Sequence, residues 1–151
     1  MYDLIILDTS ANYLDPLLEE VVYPVSDSII CVTDMDISSV IGIARWIYEI
    51  TTPKDLGGSG VSPSKLGITI NKAMSNINMS LEKIRKVAGD VPILGVLPCV
   101  PTVVAYSRNT ASLELLFKQS QINDSLKTLA EIVLGDLDYQ LSSVPKRSIE
   151  K

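Results

Sequence analysis

YDLIILDTSANYLDP, residues 2–16, opens the chain with a fully apolar run that delivers one carboxylate, Asp8, into a small polar loop. A run without polar alternation, closed by a turn and followed by a helical pattern, reads as a central strand of a parallel sheet, Asp3–Asp8. Open α/β sheets bind ligands outside the carboxyl ends of their strands, and this reading puts Asp8 at such an end. Two chemistries suit a carboxylate there. It can hold Mg²⁺-bound water, or it can shape the turn through its short side chain.

Downstream the pattern alternates. Leu14–Tyr23 reads as a helix, with apolar Leu14, Leu17, Leu18, Val21 and Val22, and Ser28–Thr33 (SIICVT) reads as a second buried strand. Ile37–Ile50 is a helix for which Asp36 or Ser38 serves as N-cap. Thr51–Lys65 holds three glycines and two prolines, which sustain neither regular period, so it is a loop. Leu66–Ile70 is the third strand, Met79–Ala88 a helix closed by Gly89, and Ile93–Leu97 the fourth strand. Helices over Pro101–Ser107 and Asp124–Leu134, the latter ended by Gly135, precede a polar tail from Asp136. Strands alternating with helices imply right-handed crossovers, hence an α/β fold: a three-layer parallel sheet of four or more strands flanked by helices. Residues 1–135 form the domain and residues 136–151 the tail.

With 151 residues, 46% apolar and 21% charged, the chain has the composition of one globular domain with a substantial core. A net charge of −5 argues against a broad nucleic-acid footprint. The basic clusters Lys83, Arg85, Lys86 and Lys146, Arg147 read as solvated surface. Cys31 and Cys99 are the whole thiol inventory and histidine is absent, which sets aside a structural zinc site and histidine-based catalysis. Cys31 lies in an apolar run and reads as core filling, whereas Cys99 follows a strand and is the more exposed thiol. The start lacks a basic segment of the signal-peptide kind, and no apolar run reaches the roughly 18 residues of a membrane span, so a soluble, cytoplasmic protein is expected.

Four segments in order resemble the MinD/ParA group of deviant-Walker P-loop ATPases. YDLIILDTSANYLDP is similar to that group's Walker B strand ending in D-[ST]-P-[AP]-G. SDSIICVTDMDISSVIGIARWI is similar to the strand and helix A-D-x-x-[IV]-x-V-T-x-P-[DE]-x-x-S. LGITINKA resembles a strand ending in an asparagine beside the adenine, and ILGVLPCVPTVVAYSRNTA resembles L-G-x-[IL]-P-x-D-x-x-V-x-x-A-x-N-x-G. The matches span roughly Met1 to Leu116. Several positions depart from the pattern. Ser10 and Asn12 replace the Walker B proline and glycine, Val100 the acidic residue after the proline, and Ala111 the glycine after Asn109. The 151 residues contain no G-x-x-x-x-G-K-[ST] loop to cradle phosphates.

The resemblance implies a partial P-loop NTPase-like fold lacking the phosphate-loop strand. It implies the C-terminal part of a nucleotide-dependent switch for intracellular positioning, partitioning or pilus assembly. The alternative is a scaffold or dimerisation module of the same lineage that no longer hydrolyses nucleotide. ATP and Mg²⁺ are the implied cofactors, with Asp8 as catalytic and metal-holding carboxylate. Asn71, Lys72 and Pro98 border the nucleotide, the amide of Asn71 suiting adenine's donor–acceptor edge. ATPase activity requires completion by a phosphate-loop segment. A second copy of the chain, or its own N-terminal half, and further proteins are the implied partners. Asp34 and Asp36 are read as helix caps, and Trp46 as a core or dimer contact. The tail, interrupted by Pro145, lacks the continuous apolar face of a membrane-surface helix, so membrane association through it is weak or absent.

Overall fold

A computed structural model describes residues 4–10, 12–13, 15–74, 80–112, 114, 118 and 120–136. Three strands, β1 (Ile29–Thr33), β2 (Leu66–Ala73) and β3 (Ile93–Pro98), form a parallel sheet in the order β1-β2-β3. Register runs from Ile29 opposite Leu66 to Thr33 opposite Ile70, and the β2–β3 pairing shifts twice, between Ile68 and Thr69 and between Ile70 and Ala73. The expected parallel α/β architecture with flanking helices is therefore present, on three described strands.

β2 is central, and its sequence shows why. Leu66, Ile68 and Ile70 turn to one face and Gly67 and Thr69 to the other, and all five are buried. The first face meets α2 (Ile37–Thr51) and α3 (Leu81–Ala88) through Val40, Ile43, Trp46, Ile50, Ile84 and Ala88. Trp46 is thus a core residue. Fully burying one such aliphatic side chain stabilises by about 1.5–3 kcal/mol. On the other face α5 (Ser120–Asp136) crosses β3, with the Leu129 side chain over Gly95. A Cβ at Gly67 would run into the Leu94 side chain, which must shift before any larger residue fits there. α4 (Pro101–Asn109) follows β3 after a short connection, with Pro101 at its first turn.

Helix ends follow the sequence closely. Asp36 is the N-cap of α2, its carboxylate accepting from the Ser39 N–H at 2.8 Å and the Ser39 hydroxyl at 2.9 Å. Ser80 caps α3 in the same way, which starts that helix two residues after the expected Met79; Met79 itself lies outside the described residues. Gly89 closes α3 with φ +59°, a left-handed conformation that glycine adopts without a Cβ penalty. The loop 51–65 contains two short 3₁₀ turns, Lys54–Leu56 and Pro63–Lys65. The tail from residue 137 lies outside the described residues.

Two expectations need correction. The segment Leu4–Asp8 is not a strand: it has no regular structure, and Leu4, Ile5, Ile6 and Leu7 are exposed. An unbroken apolar run is stable as a central strand only with neighbours on both edges and cover on both faces, and the described residues place it in no sheet. The following helix is also different in kind. Leu18–Val22 is π-helical and runs into α1 (Tyr23–Val25). Pro24 has no N–H to give the preceding turn, which breaks the regular α-helical ladder at this point. Leu18 is buried and Val22 packs on the core, whereas Leu17 and Val21 face outward. Leu14 lies outside the described residues.

Candidate functional site

Right-handed crossovers bring the carboxyl ends of all three strands to one edge of the sheet. That edge carries Thr33, Asp34 and Asp36 after β1, Asn71, Lys72 and Ala73 at the end of β2, and Pro98 and Cys99 at the end of β3. Three of the four expected site residues, Asn71, Lys72 and Pro98, are therefore neighbours. β2 continues three residues beyond the expected Ile70, so Asn71 and Lys72 belong to the strand's irregular last turn rather than to a loop after it. The Cys99 N–H donates to the Ala73 carbonyl at 2.9 Å and holds the ends of β2 and β3 together.

Lys72 is the distinctive residue of this edge. Its φ is +51°, a left-handed conformation uncommon for a residue with a Cβ, and its N–H donates to Asn71 Oδ1 at 3.0 Å. The Lys72 ammonium reaches across to Asp34, donating to Oδ2 at 2.8 Å. This pair links the loop after β1 to the end of β2, and the hydrogen bond to Asp34 raises the Lys72 pKa above its ordinary value. Both side chains remain well exposed, so the pair fixes geometry more than it adds stability. Local sequence gives no sign of it, because its partners stand 38 residues apart. Asp34 had the expected role of a helix cap; Asp36 alone caps, and Asp34 holds the lysine.

Asp8 is exposed and belongs to the irregular segment before the first helix, not to a strand's carboxyl end. Among the described residues no group of three or more His, Cys, Asp or Glu is placed to hold a metal ion. Cys31 is largely enclosed, and burial pushes its thiol pKa up to about 11, which suits core filling and not reactivity. Cys99, like Cys31, is only partly exposed. Among the described residues no helix is long and apolar enough to cross a membrane.

No family model and no curated protein matches the sequence. Solved structures do match. The MinD cell division protein of Aquifex aeolicus superposes with a TM-score of 0.56 at 16% identity, over 73% of this chain and 44% of that one. The MinC:MinD cell division protein complex of the same organism matches with a TM-score of 0.56 at 17% identity, over 73% of this chain and 43% of that one. The fold is thus MinD-like, and the chain spans less than half the length of the solved proteins it matches.

Proposed function

We propose that the chain is the C-terminal part of a MinD/ParA-like nucleotide-dependent switch that positions a cellular structure, such as a division site, a partitioned DNA or a pilus. The observation that carries this reading is the meeting of Asn71, Lys72 and Pro98 at one edge of a sheet whose fold is MinD-like. Side-chain amides suit a purine base, offering an acceptor and two donors in one plane. Pro98 ends β3 beside Ala73, next to that amide, and supplies an apolar wall.

The residues present fit the base side of ATP and not its phosphate side. Phosphates are held by successive backbone N–H groups of a glycine-rich loop and by a free lysine. At this edge the lysine is already paired to Asp34, and the sequence has no such loop. Mg²⁺ is usually held by one or two carboxylates together with substrate phosphates and waters, so Asp8 alone is an incomplete donor set. ATP hydrolysis accordingly needs a phosphate-loop segment from outside these residues, with Asp8 contributing to the metal's water shell once the site is complete. Cytoplasmic location and binding to further proteins belong to the same proposal.

Titration of the purified chain with a fluorescent adenine nucleotide tests it. Weak binding, independent of Mg²⁺ and reduced by Asn71→Ala, is the expected outcome. Steady Mg²⁺-dependent phosphate release that disappears in Asp8→Ala would contradict the division of labour. A second reading, a scaffold of this lineage that no longer uses nucleotide, is favoured by the Lys72–Asp34 pair, which occupies the cation of the site. It requires that no adenine nucleotide bind at all.

A further inference from the structure

The end of β2 is built around an irregularity. Ile70 pairs with Val96 and Ala73 with Pro98, so Asn71 and Lys72 together stand opposite the single Leu97 of β3. Such a bulge interrupts the ladder and re-aims the side chains that it carries. It is fixed at both ends. Ile70 is fully buried and pairs with Thr33 of β1, and the Ala73 carbonyl accepts from the Cys99 N–H at 2.9 Å. Within the bulge Lys72 has φ +51°, a state that is costly for a residue with a Cβ and that glycine adopts freely. Two contacts meet in this residue: its N–H donates to Asn71 Oδ1 at 3.0 Å, and its ammonium donates to Asp34 Oδ2 at 2.8 Å. The first contact fixes which end of the Asn71 carboxamide is which, because only its oxygen can accept from an N–H. A free carboxamide can exchange its donor and acceptor by a half-turn and so match either order on a base. A pinned one matches a single order. Adenine presents its amino donor beside a ring-nitrogen acceptor, whereas guanine has the O6 acceptor where adenine has the amino group.

We propose that Asp34 is a positioning residue for base selection: through the Lys72 ammonium it holds the left-handed turn whose N–H pins the Asn71 carboxamide, so that the adenine edge is read and the guanine edge refused. The inference rests on the nucleotide reading above and gives Asp34 a part in it that needs no contact with the nucleotide. The register accounts for its reach. Asp34 directly follows Thr33, and Thr33 lies opposite Ile70, the residue before Asn71. The magnitudes agree as well. An exposed ion pair and the left-handed conformation of one residue are of comparable free energy, so the pair can bias this turn without carrying the fold. A lysine spent in this way is also unavailable to phosphates, in keeping with a site that grips the base alone.

Titration with adenosine and guanosine diphosphates, fluorescently labelled on the ribose, tests it on the wild-type chain, Asp34→Ala, Lys72→Gly and the double variant. The wild-type chain should prefer the adenine nucleotide, and Asp34→Ala should narrow that preference about fivefold with an unchanged unfolding midpoint. Lys72→Gly should keep the preference, because glycine takes the positive φ unaided, and adding Asp34→Ala to it should change nothing further. A merely structural loss would lower both affinities alike and leave their ratio intact. An unchanged ratio in Asp34→Ala therefore overturns the proposal. The same narrowing in the Lys72→Gly background overturns it too, since Asp34 would then act on the base directly. A second arm needs no nucleotide: the Lys72 backbone amide, held by Asn71, should exchange with solvent about fivefold faster in Asp34→Ala than in wild type. Equal rates overturn the positioning role even where nucleotide binds. A wild-type chain that binds neither nucleotide but shows the faster exchange would instead overturn the nucleotide reading, and base selection with it.

Discussion

Leu66–Ile70 and Leu4–Leu7 are both short apolar runs, and they meet opposite fates. The first is buried throughout, with Ile68 and Ile70 fully enclosed; the second is exposed along its length and belongs to no strand. Their side chains are of one kind, so composition does not separate them. Neighbours do. Leu66–Ile70 has β1 on one edge, β3 on the other, α2 and α3 over one face and α5 toward the other. Among the described residues Leu4–Leu7 joins no strand, and its side chains are exposed. Hydrophobic burial is a property of the assembly and not of the segment, because the free energy comes from area removed from water.

The largest test of this contrast removes the same atoms from both runs. Ile68→Ala should destabilise the chain by about 2–5 kcal/mol, since it leaves a cavity between helices and sheet. Ile6→Ala should move the unfolding midpoint of the monomer little, its side chain being 82% exposed. Chemical denaturation of the two variants measures the difference, and equal losses would show that Leu4–Leu7 is buried after all.

Next in size is the glycine that lets β2 pack on both faces. Gly67→Leu must displace the Leu94 side chain, and overpacking of this kind costs about 1–3 kcal/mol. A thermal midpoint unchanged from wild type would show that the second face is loosely covered.

A smaller effect of the opposite sign is expected next door. The Thr69 hydroxyl is buried without a hydrogen-bond partner among the described residues. Replacing an unsatisfied buried hydroxyl by a methyl of similar shape removes its desolvation cost, so Thr69→Val should be neutral or stabilising by up to about 1 kcal/mol. A clear loss of stability would mean that the hydroxyl is paired in solution.

The smallest effect concerns the cap of α2. Hydrogen bonds from Ser39 hold the Asp36 carboxyl below the ordinary carboxylate range. A folded-state pKa lower than the unfolded one makes a contribution that is fully present above about pH 4 and is lost as pH falls through the lowered value. Asp36→Ala should therefore weaken the chain at neutral pH and flatten this part of its acid dependence. Acid titration of both proteins, followed by circular dichroism, checks the sign.

The sequence made most of the sheet legible, for identifiable reasons. Ile29–Thr33, Leu66–Ile70 and Ile93–Pro98 are apolar runs bounded by turn residues, and Asp36 and Gly89 carry their helix ends in their own chemistry. The run at residues 4–8 carries the same local signal yet forms no strand, because the signal says what a segment could pair with and not whether a partner stands beside it among the described residues. Asn71, Lys72 and Pro98 were placed on one edge by topology. The Lys72–Asp34 pair was not legible, since it is set by the bend at the end of β2. Lysine is not a residue whose identity announces a positive φ.

Amide hydrogen exchange, read residue by residue across chain concentration, tests the central contrast most directly. The Leu66–Ile70 amides should be protected at every concentration. Those of Leu4–Leu7 should exchange freely. Protection of Leu4–Leu7 at the lowest concentration, equal to that of β2, would contradict the account, for it would mean that the run closes the sheet within its own chain.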